Sequence, residues 1–94
     1  MSAVIRRYRF DPTSSPEIRR QITQGFLPLL RQTPGFVAYY WLDTGDGVGA
    51  SLSVFESQAG AEESVRLPAD YVQQHLAGLL GTPEVVQGEV KAHA

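Results

Sequence analysis

The sequence predicts an α+β protein with four strands and two helices in the order β-α-β-β-α-β. Its sheet is expected to be antiparallel, with both helices on one face. Three observations predict this. Four short segments, 3–10, 36–42, 48–56 and 83–90, are rich in β-branched and aromatic residues or alternate at period two. Two of the intervening segments carry apolar residues at helical spacing. The two central strands are separated only by "DTGDG" (43–47), short enough for a hairpin loop.

The first strand is "AVIRRYRF" (3–10). The next segment is "DPTSSPEIRRQITQGFLPLLRQTPG". Ser15 is a plausible N-cap, with Pro16 at the first helical position and Glu17 in the positive first turn. Ile18, Ile22, Phe26 and Leu29 recur on one helical face. Pro28 falls inside the pattern and should bend the helix or end its regular part. "TPG" (33–35) closes the segment.

The second strand, 36–42, places Phe36, Ala38, Tyr40 and Leu42 on one side and Val37, Tyr39 and Trp41 on the other. Both sides are apolar. In the third strand Val48, Ala50, Leu52 and Val54 alternate with Gly49, Ser51 and Ser53. Ser57 can cap a second helix whose apolar face is Ala61, Val65, Val72, Leu76, Leu79 and Leu80. Pro68 interrupts that helix, so two pieces should meet near Leu67. Gly81 suits the C′ position. "PEVVQGEV" (83–90) is the last strand.

Two right-handed βαβ crossovers around a central hairpin give the ferredoxin-like arrangement, with strand order 4-1-3-2 and strand 1 inside the sheet. Helices then cover one sheet face and leave the other bare. A second strand with no water-facing side predicts that a second copy covers the bare face. The expected assembly is an isologous, sheet-on-sheet homodimer, pairing into a dimeric α+β barrel.

Composition narrows the function classes. Ninety-four residues predict one domain, 1–94. A net charge of −2 gives no global attraction to nucleic acid. The absence of cysteine excludes thiolate catalysis and thiolate metal sites. Two histidines far apart make no dedicated metal site. No apolar run approaches the roughly 20 residues of a membrane span, and no signal-like segment opens the chain. The expectation is a cytoplasmic protein with no membrane partner. "GDGVG" (45–49) lacks dinucleotide-binding spacing, "DTGDG" is too short and too poor in acids for a calcium loop, and no nucleophile elbow occurs.

A helix ending in "PGF" (34–36), an aromatic strand, a hairpin and "FES" (55–57) opening a helix resemble the antibiotic-biosynthesis monooxygenase-like group. The resemblance covers nearly the whole chain. It implies a dimeric α+β barrel of ferredoxin-like protomers. It also implies a range of chemistries, from cofactor-independent oxygenases of polyketide or quinol substrates to haem-degrading enzymes. Where the group often carries Trp at the end of the third strand, this chain has Phe55. Where a His often follows in the next helix, the spacing falls near Ser64. The haem-degrading branch carries an Asn/Trp/His constellation, and this chain contains no asparagine. No cofactor is expected, haem included, and no metal.

His75 lies one helical turn from Tyr71 beside the apolar face of the second helix. It is a candidate general base or iron ligand, with Tyr71 as a proton-transfer partner, or else a boundary histidine satisfied by a neighbour. Tyr39, Tyr40 and Trp41 could stack a flat substrate, or serve core and interface packing. Arg6, Arg7 and Arg9 sit in a strand expected to be central, where unpaired charge is costly. Arg7 and Arg9 share one face, and Arg6 shares the other with Tyr8. They read either as an anion clamp or as partners of a carboxylate such as Glu56 or Glu89. Arg19, Arg20 and Arg31 read as a solvated helix face. Tyr39, Trp41, Arg6, Tyr8, Phe26 and Phe55 are the substrate-binding candidates, and His75 and Tyr71 the catalytic ones.

The reading is a homodimer acting as a cofactor-independent, oxygenase-like enzyme on a small aromatic or quinol-type substrate. The alternatives are a non-catalytic ligand-binding or regulatory dimer, and a structural domain whose polar cleft residues do no chemistry.

Overall fold

The computed structural model describes residues 1–57, 76 and 78–94. Four strands, β1 (Ser2–Arg9), β2 (Phe36–Asp43), β3 (Val48–Phe55) and β4 (Glu84–Glu89), form one antiparallel sheet in the order β2-β3-β1-β4. This is the predicted strand order, with β1 inside. The β2–β3 hairpin closes through a loop in which the Asp43 carboxylate accepts from the Gly45 amide at 2.8 Å. Gly47 brings the loop onto the end of β1, where its carbonyl accepts from the Phe10 amide at 2.9 Å. A Cβ at Gly47 would lie 2.7 Å from the Phe10 carbonyl oxygen, and its φ of +89° is a conformation only glycine adopts freely.

The helical segment after β1 begins earlier than the Ser15 cap predicts. Asp11 caps a 3-10 turn, Pro12–Ser14, by accepting from the Thr13 amide at 2.9 Å and the Thr13 hydroxyl at 2.8 Å. The turn runs straight into α1 (Ser15–Gln21), so Ser15 has no free amides to cap. Its hydroxyl instead donates to the Asp43 carboxylate, tying the helix start to the hairpin.

Next, Ile22–Phe26 adopts π-helical hydrogen bonding, and the Leu27 amide reaches back to the Ile22 carbonyl. Then comes α2 (Leu27–Arg31). The cause is Pro28, which lacks an amide and crowds the carbonyl of Gln24. Widening one turn relieves that crowding without ending the helix. The wide turn also shifts the helix phase. The buried face is Ile18, Ile22, Phe26 and Leu30, at a uniform spacing of four, and Leu29 is only half-buried, which corrects the predicted face. Arg19, Arg20 and Arg31 are exposed, as predicted.

The side chains of β1 alternate cleanly. Ser2, Val4, Arg6 and Tyr8 face the helical segment, and Ile5, Arg7 and Arg9 face away. In β3 the helix-facing residues are Gly49, Ser51, Ser53 and Phe55. In β2 the predicted parity holds for Tyr39 and Trp41 against Ala38, Tyr40 and Leu42. It fails at the strand's start. A β-bulge between Phe36 and Ala38 leaves Val37 without a partner in β3. Phe36 therefore shares a face with Tyr39 and Trp41, and its ring meets Phe55 edge-on at 6.1 Å.

Tyr8, Ile18, Ile22, Phe26, Leu30, Phe55, Leu76 and Leu80 form the core. Burying a large apolar side chain of this kind contributes about 1.5–3 kcal/mol. Leu76 and Leu80 thus lie on the buried face predicted for the second helix. Leu79, also assigned to that face, packs half-buried against the core, and the remaining residues Ala61, Val65 and Val72, with the break near Leu67 and Pro68, lie outside the described residues. Gly81 does not adopt the left-handed C′ conformation. Its amide donates to the Arg9 carbonyl at 3.1 Å, so its role is docking on β1.

The opposite sheet face exposes Ile5, Tyr40, Leu42 and Val86, the last three at 63%, 63% and 66%. Arg7 lies on this face and pairs with Glu84 at 3.7 Å, rather than with Glu56 or Glu89. Glu89 pairs with Lys91 at 3.1 Å in the C-terminal "KAHA" segment, which adds no strand residue. Among the described residues no helix is long and apolar enough to cross a membrane.

Candidate functional site

The helix-facing side of β1, β2 and β3 gathers polar and aromatic groups that a core alone would not require. Arg6 of β1 pairs in register with Ser51 of β3, and Ser51 with Trp41 of β2. One row toward the other end of β1, Val4, Ser53 and Tyr39 align in the same way. Small residues in β3 make the space. Ser51 and Ser53 are 4% and 3% exposed, and their register partners in β1 and β2 are the larger Arg6, Val4, Trp41 and Tyr39.

Gly49 sets the position of Trp41. A Cβ there would lie 2.7 Å from the indole Cη2 and Cζ2 atoms and 2.9 Å from the Phe10 ring. The indole therefore lies over the glycine backbone. Its ring stands 6.0 Å from Tyr8 and 6.1 Å from Phe10, tilted by 49° and 36°. Tyr39 meets Phe26 edge-on at 5.3 Å. Phe26 closes the π-helical turn, so the irregularity that Pro28 imposes also presents this ring to the site.

Electrostatics define what these groups can do. Burial pushes the Tyr39 phenol well above its ordinary value. The nearby Tyr8 adds to the shift, and a hydrogen bond from Ser51 and the charge of Arg6 pull it part of the way back. Burial also raises Tyr8, again opposed by Arg6. Burial thus disfavours the phenolate form of both, which leaves each hydroxyl able to donate near neutral pH. Arg6 is half-buried and makes no hydrogen bond or ion pair to any described residue.

All six predicted substrate-binding residues lie on this one side. Tyr8, Arg6, Tyr39, Trp41 and Phe26 stand together. Phe55 sits at the other end of β3 as a fully buried core residue. His75 and Tyr71 lie outside the described residues, as does Ser64. Tyr40 points to the bare face. Ser51, Ser53 and Phe10 were not singled out from the sequence. The available signal was the run of small residues alternating with Val48, Ala50, Leu52 and Val54, whose direction the sequence does not give.

A separate polar hollow of about 510 Å³ opens at the far end of β1 between Met1, Ser2, Glu56, Ser57, Gln87 and Glu89. None of the predicted site residues lines it. Among the described residues no three His, Cys, Asp or Glu side chains gather as a metal site.

Fold and site together define a ferredoxin-like chain whose helix-facing sheet side carries rings and hydroxyls that are largely buried. The same fold occurs in solved structures. The NE2512 protein of unknown function from Nitrosomonas europaea matches with a TM-score of 0.84 and 21% identity, over 99% of this chain and 91% of that one. The monooxygenase from the gene ActVA-Orf6 of Streptomyces coelicolor, solved with nanaomycin D, matches with a TM-score of 0.81 and 16% identity, over 99% and 89%. SnoaB, a cofactor-independent oxygenase from Streptomyces nogalater, matches with a TM-score of 0.74 and 13% identity, over 98% and 94%. The likeness is thus to antibiotic-biosynthesis monooxygenases, as the sequence resemblance implies, and at these identities it is a likeness of fold. No family model matches the chain, and no curated protein matches it in sequence.

Proposed function

We propose that this protein is a cofactor-independent, monooxygenase-like enzyme acting on a small aromatic or quinol-type substrate as a homodimer. The observation that carries the reading is the cluster of Tyr8, Tyr39, Trp41, Arg6 and Ser51 on the helix-facing sheet surface. Flat rings favour a flat substrate. Two neutral phenols and a guanidinium would stabilise negative charge on a substrate oxygen as it develops. The fold shared with ActVA-Orf6 and SnoaB supports this choice among the chemistries the scaffold hosts. His75 and Tyr71 remain the proton-transfer candidates, on the sequence alone.

Anthrone is the simplest test substrate. Its ring methylene would become a carbonyl, with one atom of O₂ entering the product and the other leaving as water with both methylene hydrogens. An oxygen electrode should record one O₂ consumed per anthrone, faster than the uncatalysed background. No acceleration with anthrone or any quinol of a small panel would overturn the enzymatic reading. The alternative is then a non-catalytic ligand-binding dimer.

The dimer part of the proposal rests on the bare face. Ile5, Tyr40, Leu42 and Val86 expose apolar surface there, and Leu52 and Val54 of β3 share that face. A second copy packing sheet to sheet would cover it. Light scattering should give twice the 10.3 kDa chain mass at micromolar concentration. Tyr40→Lys with Leu42→Lys should return the single-chain mass while leaving far-UV circular dichroism unchanged. A wild-type mass near 10.3 kDa would sink the interface.

A further inference from the structure

The adjacent arginines of β1, Arg6 and Arg7, are treated differently. Arg7 faces outward and has Glu84 at 3.7 Å. Arg6 faces inward, half-buried on a central strand, and no carboxylate among the described residues pairs with it. Its polar surroundings are hydroxyls, from Tyr8, Tyr39 and Ser51. Hydroxyls can solvate an ion but cannot neutralise a guanidinium. A sheltered positive charge of this kind is costly unless an opposite charge meets it.

We infer that Arg6, Tyr8 and Tyr39 form the binding point for the carboxylate of an aromatic acid whose ring lies against Trp41. The inference deepens the proposed function and rests on reading this cluster as a ligand site, though not on turnover. Three features of the geometry select the ligand. Guanidinium presents a planar pair of donors that matches a carboxylate. Arg7 and Arg9 project to the other face, so the sheet supplies a single positive charge, which suits a monoanion better than a phosphate. Both phenols keep their protons because burial disfavours their ionised forms, so they add donors to an arriving anion rather than repelling it. Trp41 and its neighbours Tyr8 and Phe10 provide ring surface beside that point.

Trp41 is the sole tryptophan, so tryptophan emission, excited selectively over the four tyrosines, reports on this site. The experiment titrates the intact protein with anthraquinone-2-carboxylate and with anthraquinone-2-carboxamide, which has the same rings and no charge. The acid should bind about ten times more tightly or better, the usual scale of a charge-assisted pair. Arg6→Gln should remove that preference by weakening the acid and leaving the amide unchanged. Arg6→Lys should retain part of it. Equal affinities for acid and amide in the wild type would overturn the inference, as would a preference that survives Arg6→Gln, or no quenching by either compound. The wild-type pair and Arg6→Lys decide the matter even if Arg6→Gln fails to fold. Oxygen uptake is read separately. Acid-selective binding without turnover leaves this inference standing and removes the enzymatic reading, and turnover without acid selectivity does the reverse.

Discussion

Phe55→Ala should lower the unfolding free energy by about 3–5 kcal/mol, the scale for truncating a buried phenylalanine. Phe55 is 2% exposed and closes the end of β3. Its backbone pairs with Ser2 on one side and Phe36 on the other. Two hydrogen-bonded neighbours hold the walls of the resulting cavity apart, so little collapse can offset the loss. Phe36 also loses its edge-on partner. Single domains are stable by only about 5–15 kcal/mol, so this one change removes a large share of the total. Urea unfolding followed by far-UV circular dichroism should show it as a lower midpoint with an unchanged slope. Phe55→Leu should recover most of the difference. A loss below about 1 kcal/mol would mean that Phe55 is not part of the core described above.

Gly49→Val should cost about 1–3 kcal/mol through overpacking and should also displace Trp41. Its first added carbon would sit 2.7 Å from the indole and 2.9 Å from Phe10. Neither contact can be relieved by a flexible chain end, since both involve rings packed against others. The indole must leave its place over the backbone. Trp41 emission should shift to longer wavelength, and quenching by a flat ligand should weaken at least tenfold. Gly88→Ala is the matched control. That strand glycine has nothing within 4 Å of an added Cβ, so the substitution should leave emission and ligand quenching unchanged. An unshifted emission spectrum in Gly49→Val would refute the placement of Trp41.

The strand order was legible because each of its causes is local. Strand periodicity, a hairpin-length loop and the handedness of crossovers act within short stretches of chain. The face shared by Arg6 and Tyr8, and by Tyr39 and Trp41, followed from parity for the same reason. Where the prediction departs from the structure, a backbone irregularity intervenes. The wide turn at Ile22–Phe26 exchanges Leu29 for Leu30 at the core, and the bulge at Val37 moves Phe36 across the sheet. Neither leaves a mark in hydrophobic pattern, because both neighbours are apolar in each case. Asp11 displaced Ser15 as the cap since "DPTSSP" offers several acceptors and only geometry selects one. The site was half legible. Tyr8, Arg6, Tyr39, Trp41 and Phe26 were recognisable as chemistry-bearing or ring-bearing residues. Ser51 and Ser53 were not, because a serine alternating with valine and leucine reads as the wet side of a strand. Here that side faces the core.

The bulge at Val37 divides β2 into two independently tuned parts. Before it, the Glu56 amide donates to the Gly35 carbonyl at 2.8 Å, and Phe36 meets Phe55, so this portion packs against the core. Beyond it, Ala38 to Asp43 pairs with Gly49 to Val54 and carries Tyr39 and Trp41. The hairpin is therefore a cassette hinged at one unpaired residue. Side chains beyond the bulge can thus change while the anchoring end, Phe36 against Phe55, keeps its register.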